Sequence, residues 1–397
     1  MKLYGIAEIA RALDTDPGLV GKWRERHKLP PPDAELATGP VWLADTIEPV
    51  LAAGGPGSAR TALREYRVVP EAGSRPATVY YLCPDTNKPH GGIRSIYQHV
   101  DVLNSLGVAA FVAHHSQGFV CDWFEHQTRV VAEDEVTLTP ADIIVVPEIY
   151  VQHLRKIPAG PRLVVFSQGA YLSFGAGQSV SSWKYCLDDR KLEALMVVSR
   201  DSEEYMRYAF PGVNVVRVRN FVDGQIFHPA ERLPGRKIAV MPGRGRNLCT
   251  HVLSLLTMRG SLDGWEVADI DGLPQREVAE ILRSAAIFLS FGEREGFGMP
   301  PAEAMACGCY VVGFTGLGGR EFFYPGLCVP VEEGNVLALA NMTEQAMSNF
   351  NMDASNIREV ALRASTIIRN EYSLEKQTRD IGSFLELLAL PGTPGLE

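Results

Sequence analysis

The most informative segment for the fold of this chain is Ser290-Phe-Gly-Glu-Arg-Glu-Gly-Phe-Gly-Met-Pro-Pro-Ala-Glu-Ala-Met-Ala-Cys-Gly308. The apolar run that ends at Ser290 predicts a buried strand. A turn rich in glycine and acid follows, and Pro300 predicts the first turn of a helix, because the fixed φ of proline suits that position. A helix that starts after glycines offers N–H groups and a positive dipole end to an anion such as phosphate.

Glu295 and Glu303 lie on either side of this predicted anion site. A carboxylate beside a bound phosphate is costly unless it binds something else, such as the hydroxyl groups of a sugar or a ribose. The combination therefore predicts a nucleotide-sugar pocket. The alternative is that Glu295 is a surface acid and that Glu303 only complements the dipole of the helix start.

The composition is that of an ordinary globular protein. Its 397 residues leave room for two or three domains, with 46% hydrophobic and 21% charged residues. No apolar run approaches the length of a membrane span, and the first residues carry no secretory pattern. Seven cysteines without CxxC spacing predict a reduced, cytoplasmic protein with no zinc site. The net charge of −9 confines any nucleic-acid contact to a local surface.

Short apolar runs alternate with helical stretches through most of the chain, which predicts parallel sheets covered by helices on both faces. We expect two doubly wound, Rossmann-like halves that bind ligands at the carboxyl ends of their strands, in a shared cleft. The crossover between the halves is predicted near Asn220-Phe-Val-Asp223. The predicted strands are 78–83, 108–113, 142–147, 162–166 and 194–199 in the first half and 237–241, 285–290 and 310–314 in the second.

The segment from Glu295 to Glu303 resembles the Glu-x7-Glu motif of retaining glycosyltransferases with the GT-B fold, family 4 in particular. The resemblance implies that Glu295 and the backbone of Gly296, Phe297 and Gly298 contact the donor sugar and its phosphates. It also implies that Glu303 binds the ribose.

With this resemblance, the chain divides into five segments. A small DNA-binding-like domain is predicted over residues 1–53, and a linker rich in glycine and proline over 54–76. The acceptor domain of the GT-B fold is expected over 77–222 and the nucleotide-sugar donor domain over 223–372. Residues 373–397 are expected to hold the last helix, which crosses back onto the first half, and a tail.

Gly91 and Gly92 follow the first predicted strand and precede a predicted helix, Ile93 to Leu103. Adjacent glycines let the backbone approach a ligand closely, and the helix start can face a diphosphate. The pair resembles the Gly-Gly loop of the GT-B N-terminal half. The alternative is a tight turn that needs glycine for its geometry alone.

Arg244 and Arg246 follow the strand at 237–241. In the resembled family a basic pair at this place clamps the donor diphosphate, and guanidinium groups suit phosphate because they donate two parallel hydrogen bonds. The usual pair is an arginine and a lysine several residues apart, whereas this chain has two arginines and no lysine nearby.

Gln168 and Tyr171 lie in Phe166-Ser-Gln-Gly-Ala-Tyr171, which resembles a strand-end segment of family members related to rhamnosyltransferases. The resemblance implies contact with the donor sugar or the acceptor. Gly319 and Arg320 form another glycine loop after a strand, predicted near the donor, and Glu148 is a weaker candidate at the cleft rim. The alternative for strand-end residues of these types is an ordinary polar surface.

The sequence predicts no metal site, since we expect no Asp-x-Asp motif at a strand end and no histidine–carboxylate cluster has ligand spacing. Catalysis is then expected from Glu295, Arg244 and Gln168, with arginines and helix starts stabilising the leaving diphosphate. This describes front-face, retaining transfer without an obligatory divalent metal. The cofactor is a nucleotide-sugar whose carrier (UDP, GDP or dTDP) the sequence does not identify.

The first 53 residues resemble a winged helix-turn-helix of the MerR or excisionase type. The predicted elements are helices at 4–13, 18–28 and 44–51 and a wing at 39–43. The second helix carries a core-anchoring tryptophan and four exposed basic residues, and DNA contact is predicted for Lys22, Trp23, Arg24, Arg26 and Lys28. The alternatives are a protein-docking module and a solvated helix face.

Fusion to a DNA-reading module favours DNA as the acceptor, with a hydroxymethylated pyrimidine base flipped out of the duplex, as in phage-type DNA glycosyltransferases. The alternatives are a polysaccharide, in keeping with the rhamnosyltransferase-like segment, or a protein. A fourth hypothesis is a catalytically dead body that senses sugar nucleotides and regulates through DNA. Retention of both glutamates, both glycine loops and the arginines argues against the last.

Overall fold

The computed structural model describes residues 3–12, 17–25, 28–52, 66–69, 76–174 and 180–390. They form a small N-terminal part and two larger α/β domains. The predicted linker at 54–76 lies mostly outside the described residues, but Arg67–Val68 within it forms a strand.

The N-terminal part packs three helices on a three-stranded antiparallel sheet in the order β1-β3-β2. Its elements are β1 (Leu3–Tyr4), α1 (Ile6–Ala12), α2 (Pro17–Glu25), β2 (Ala34–Leu36), β3 (Gly39–Leu43) and α3 (Ala44–Ala52). The hairpin turns at Gly39, whose φ of 121° is one that other residues rarely adopt. Ile9, Val20, Trp42 and Ile47 form the buried centre of this small core.

The first α/β domain contains a parallel sheet of seven strands in the order β12-β11-β10-β9-β5-β6-β7. The strands of the whole domain, two of which lie outside this sheet, are β4 (Arg67–Val68), β5 (Val79–Cys83), β6 (Ala110–His114), β7 (Val130–Ala132), β8 (Thr137–Leu138), β9 (Ile143–Pro147), β10 (Arg162–Ser167), β11 (Ala194–Val197) and β12 (Asn214–Arg217). Its helices are α4 (Gly91–Ser105), α5 (Val180–Asp188) and α6 (Arg200–Ala209). Separately, β4 and β8 pair in parallel.

The second α/β domain contains a parallel sheet of five strands in the order β14-β13-β15-β16-β17. Its strands are β13 (Gly235–Val240), β14 (Glu266–Asp269), β15 (Ala285–Glu295), β16 (Tyr310–Leu317) and β17 (Val329–Val331). The helices that follow β13 are α7 (Arg246–Met258), α8 (Gln275–Ser284), α9 (Met299–Ala306), α10 (Val336–Met352), α11 (Ala354–Glu371) and α12 (Leu374–Leu387).

The central strands are apolar along their whole length because helices cover both faces of each sheet. Every residue of Ile143–Pro147 is buried, as is the whole of Ala194–Val197. The prediction of two parallel, helix-covered sheets is therefore confirmed. Parallel strands end at the same edge of a sheet, and these edges of the two domains face each other across the cleft that holds the candidate site.

The chain returns to the first α/β domain at its end, where α12 packs beside α4. The side-chain amide of Gln377 donates to the carbonyl oxygen of Arg219 at 2.9 Å, and Asp380 accepts from the Arg219 backbone N–H at 3.0 Å. Arg162 donates to the carbonyl oxygen of Leu388 at 2.7 Å. These bonds fasten the two domains together behind the cleft.

Candidate active site

Three neighbouring cavities lie in the cleft around the start of α9. We name them after one lining residue each: the Glu295 cavity of about 230 Å³, the Glu303 cavity of about 240 Å³ and the Thr315 cavity of about 170 Å³. The Glu295 and Glu303 cavities share His90, Gly91, Met299 and Pro300 in their walls. A ligand that extends from one to the other must therefore pass between the starts of α4 and α9.

The Glu295 cavity collects residues from both domains that the sequence singles out separately. They are Gly91, Gly92, Glu148, Gln168, Glu295, Gly296, Phe297 and Gly298. Arg294, which sequence reasoning did not select, lies in the same wall. Its position beside Glu295 at the carboxyl end of β15 was the signal that could have identified it.

Glu295 is placed by a strand that is longer than predicted. The run expected to end at Ser290 continues to Glu295, and its pairing with β16 shifts register between Gly292 and Glu295. Glu295 lines both the Glu295 and Thr315 cavities, and its side chain forms no hydrogen bond or ion pair with the described residues. Its carboxylate is therefore available to a ligand.

The start of α9 offers fewer hydrogen-bond donors than the sequence analysis expects. The helix begins at Met299 after Gly298, whose φ is 95°. Because Pro300 and Pro301 have no N–H group, Met299 supplies the one backbone donor among the first three helical residues. The dipole of this helix still favours an anion. The expectation of several free N–H groups at its start was wrong, because the two prolines supply none.

The start of α4 lies opposite. This helix begins at Gly91, two residues earlier than predicted, so the glycines form its first turn. The ring Nδ1 of His90 accepts the Gly92 N–H at 3.2 Å and caps the helix. The Gly91 N–H has no partner among the described residues, and Gly91 lines both the Glu295 and the Glu303 cavities.

Glu303 is buried and bonded to a residue of the other domain. Its Oε1 accepts from Nη2 of Arg94 at 2.6 Å, and the two side chains are 7% and 8% exposed. Burial raises the pKa of the Glu303 carboxyl, and the Arg94 guanidinium opposes that rise. Sequence reasoning missed Arg94, although its place one turn after Gly91 puts it on the same face of α4.

Gln168 and Glu148 line the first-domain side of the Glu295 cavity. The Gln168 backbone N–H donates to Oε2 of the buried Glu148 at 3.2 Å, and its side-chain amide donates to the Gly92 carbonyl oxygen at 3.0 Å. A Cβ atom added at Gly296 would lie 1.7 Å from the Gln168 carbonyl oxygen. Glycine is therefore required at 296 for the two domains to approach this closely.

Tyr171, Gly319 and Arg320 lie along the seam between the domains and outside the walls of the three cavities. The Tyr171 hydroxyl donates to Oδ2 of Asp201 at 2.8 Å, and Nη1 of Arg320 lies 3.6 Å from Oδ1 of the same carboxylate. Gly319 is buried against two phenylalanine rings. Their predicted contact with the sugar or acceptor stays a prediction.

The same seam contains a buried acid, Glu321, that joins three parts of the chain. It accepts from the Arg200 backbone N–H at 2.7 Å, from Nη2 of Arg217 at 2.8 Å and from the Tyr372 hydroxyl at 2.8 Å. Two of these donors belong to the first domain and the third follows α11. Glu321 therefore joins the two domains along this seam.

The two arginines after β13 are in different situations. Arg244 lies in a short 3₁₀ turn, Gly243–Gly245, that begins beside the Glu303 and Thr315 cavities. Arg246 is half-exposed and forms ion pairs with Asp269 and, at 3.3 Å, with Asp271. The bond to Asp269 raises the pKa of Arg246. In this structure the Arg246 guanidinium binds those two carboxylates and is not available to a phosphate.

These carboxylates also correct the expectation that no Asp-x-Asp motif ends a strand. Asp269-Ile-Asp271 begins at the last residue of β14, a short edge strand whose partly exposed residues lack the apolar run by which the other strands are recognised. Asp271 lines the Glu303 cavity. Among the described residues, no group of three His, Cys, Asp or Glu side chains has the arrangement of a metal site.

In the N-terminal part, Lys22 and Lys28 are exposed, and Trp23 is half-buried against the small core. Arg24 forms an ion pair with Glu35 of the hairpin, and this carboxylate partly neutralises the positive charge of the predicted basic face. Arg26 lies outside the described residues. Contact between this surface and DNA stays a prediction.

All seven cysteines are free and buried. Burial raises the pKa of the Cys249 thiol to about 11 and that of Cys186 to about 12, so both are neutral thiols at physiological pH. None of the helices in the described ranges has the length and apolar character needed to cross a membrane.

Comparison with known proteins identifies the type of activity. Residues 267–361, which contain β15, α9 and both glutamates, match the family model described as "Glycosyl transferases group 1". An α-1,6-glucosyltransferase of Actinobacillus pleuropneumoniae serotype 7 (strain AP76) is 27% identical over 288 residues, which cover 68% of this chain and 83% of that protein. This protein is a glycosyltransferase.

Solved structures show the fold of this glycosyltransferase. Sucrose-phosphate synthase from Thermosynechococcus elongatus matches with a TM-score of 0.60 and 14% identity, covering 79% of this chain and 99% of that one. The Anabaena HepE protein in complex with UDP and glucose matches with a TM-score of 0.58 and 14% identity, covering 78% and 99%. The expected GT-B-like arrangement of two parallel-sheet domains is thus confirmed.

Proposed function

We propose that this enzyme transfers a sugar, with retention of anomeric configuration, from a nucleotide-sugar to a hydroxyl group of a saccharide. One observation carries the proposal: Glu295 and Glu303 line adjoining cavities that meet between the starts of α4 and α9. A nucleotide-sugar has the matching order of parts, with hydroxyl-bearing rings on both sides of an anionic diphosphate.

The donor is proposed to extend through both cavities. Its ribose hydroxyls would bind Glu303, its diphosphate would lie between Gly91 and Met299, and its sugar would occupy the Glu295 cavity. The Anabaena protein of the same fold was solved with UDP and glucose, which supports a donor of this class.

The leaving diphosphate would be stabilised by fixed dipoles of the cleft. The α4 and α9 starts each contribute a backbone N–H, from Gly91 and Met299, and both helix dipoles favour the developing charge. Contact of Arg244 with the diphosphate stays a prediction, because only the backbone of this residue is among the described parts of the chain. Arg246 could join only after leaving its two aspartate partners.

The acceptor is proposed to enter from the side of Glu148 and Gln168. A carboxylate and an amide suit hydroxyl groups, because carboxylate oxygens accept hydrogen bonds and the amide both accepts and donates. The alignment with the α-1,6-glucosyltransferase named above extends over most of that protein's length. This similarity supports glucose as the sugar and a saccharide hydroxyl as the acceptor.

A hydroxymethylated pyrimidine base in duplex DNA is the second candidate acceptor. The three helices and antiparallel hairpin of the N-terminal part support a winged helix-turn-helix, and the exposed Lys22 and Lys28 give its surface positive charge. Such a base would have to be flipped out of the stack to reach the Glu295 cavity.

A panel assay tests these proposals. The enzyme is incubated with UDP-, GDP- and dTDP-sugars and either glucose oligosaccharides or duplexes that contain cytosine, hydroxymethylcytosine or hydroxymethyluracil, and the products are weighed. We expect added hexose mass on an oligosaccharide, with the anomeric coupling in the NMR spectrum equal to that of the donor. Mass on a modified duplex would select the second acceptor, and donor turnover that is unchanged in Glu295→Gln would contradict the proposed site.

A further inference from the structure

We propose that Arg94 is a positioning residue of the donor site, which holds Glu303 ionised and oriented toward the ribose and so ties nucleotide binding to the contact between the domains. The inference rests on the proposed role of Glu303 and adds a residue from the opposite domain to it. Arg94 acts through Glu303 and is not itself proposed to contact the reacting atoms.

The geometry places this pair at a cavity wall. Arg94 lies on α4, one turn after Gly91, and Glu303 lies on α9, one turn after Met299. Both side chains line the Glu303 cavity and are almost fully buried, at 8% and 7% exposure. An ion pair that only joined two domains would not have to line a cavity of about 240 Å³.

The bond leaves part of the carboxylate available. Nη2 of Arg94 binds Oε1 of Glu303 at 2.6 Å, and Oε2 has no partner among the described residues. A carboxylate can accept on both oxygens. With Oε1 fixed by the arginine, Oε2 is held at the cavity for a ribose hydroxyl.

Among the charged groups around Glu303, Arg94 has the main influence on the ionisation of its carboxyl. The other titratable groups that line the same cavity are His90 and Asp271, and Cys307 lies one turn further along α9. Cys307 is a buried thiol whose pKa of about 12 keeps it neutral. Asp271 is paired with Arg246. Arg94 is therefore the cation in contact with the carboxylate.

The sign of the pH effect follows. Burial raises the pKa of Glu303, and Arg94 holds it down. Without the arginine the pKa rises further, so the carboxyl takes up a proton at a higher pH and loses acceptor capacity for the ribose. Nucleotide binding by an Arg94 variant should consequently weaken as the pH falls and recover as it rises.

Calorimetric binding of nucleoside diphosphates to the full chain tests the inference, without reliance on turnover. UDP, GDP and dTDP are titrated into the wild type, and the tightest is then used with Arg94→Met, Arg94→Lys, Glu303→Gln and the Arg94→Met/Glu303→Gln double variant between pH 6 and 8.5. Arg276→Met is the matched control, since Arg276 also bridges the cleft, to Glu125 at 3.4 Å, but is exposed. Thermal unfolding confirms that each variant is folded.

We expect Arg94→Met to bind roughly tenfold more weakly at pH 7, since a hydrogen bond to a charged group is lost, with a larger loss at pH 6 and partial recovery at pH 8.5. Arg94→Lys keeps the charge and should keep the wild-type pH dependence, and it serves alone if the methionine variant does not fold. The double variant should bind no more weakly than Glu303→Gln, because Arg94 acts through Glu303.

Additive losses that do not depend on pH would overturn the inference, because they would mean that Arg94 contacts the ligand directly. Unchanged binding in Arg94→Met would reduce the pair to a domain fastener and overturn it as well. Absence of binding by the wild type at millimolar concentrations is a distinct result, in which the proposed donor site itself fails and the inference fails with it.

Discussion

Replacing Gly296 with alanine should push the loop that carries Glu295 away from the first domain without disturbing the core of either domain. The φ of Gly296 is outside the left-handed region, so its backbone accepts an alanine. The added Cβ would lie 1.7 Å from the Gln168 carbonyl oxygen, whereas real contacts of this kind are essentially never shorter than 3.0 Å. The loop that carries Glu295 must then move away from the first domain by about 1.3 Å.

A displacement of that size is large for a catalytic site. Misplacement of reacting groups by about 1 Å can cost on the order of 100-fold in rate, which corresponds to about 2.7 kcal/mol of transition-state stabilisation. We therefore expect kcat/KM of Gly296→Ala to fall by about two orders of magnitude. The obstacle is a backbone atom, so rotation of a side chain cannot relieve it.

The assay compares donor turnover, melting temperature and radius of gyration by small-angle X-ray scattering. Gly235→Ala is the matched control, because Gly235 lies in the same domain and its added Cβ would meet no atom within 4 Å. The control should behave like the wild type, whereas Gly296→Ala should lose activity with little change in melting temperature. A fully active Gly296→Ala variant would refute the reasoning that catalysis needs this closed contact.

The remaining predictions concern three separate features. Glu295→Gln should lose at least about a thousandfold in kcat, whereas Glu293→Gln, two residues earlier and exposed, should retain activity in the same donor-turnover assay. Glu321→Ala removes a buried carboxylate from three donors and should lower the free energy of unfolding by about 3–5 kcal/mol in denaturant titrations. Lys22→Glu with Lys28→Glu should flatten the salt dependence of duplex binding by about two in log–log slope, measured by fluorescence anisotropy.

Each of these has a result that would contradict it. Equal activity of the two glutamine variants would remove Glu295 from the site. An unchanged denaturation midpoint for the Glu321 variant would mean that its three bonds do not hold the domains together. Duplex binding that ignores both salt and the lysine substitutions would assign the N-terminal part to another partner.

The sheet architecture follows from the sequence because its signal is local. Strands such as Ile143–Pro147 are apolar on both faces, and that pattern is produced by burial between two layers of helices. The residues of the Glu295 cavity follow from the same logic, since residues after parallel strands gather at one edge of a sheet. Their roles, in contrast, came from the resemblance and from the chemistry of each side chain.

Contacts between distant segments could not be predicted in this way. Arg94 and Glu303 are 209 residues apart, and nothing local to either one indicates the other. The pairing of Arg246 with two aspartates was missed because β14 is a half-exposed edge strand with little hydrophobic signal. The donor-poor start of α9, in contrast, follows from the sequence itself, because Pro300 and Pro301 have no N–H group.

A crystal structure with a bound nucleoside diphosphate tests the central claim most directly. The account predicts the diphosphate within hydrogen-bond distance of the Gly91 and Met299 N–H groups, with the ribose hydroxyls on Glu303 and the terminal phosphate directed at Glu295. A nucleotide bound away from the start of α9, with both glutamates unoccupied, would contradict it.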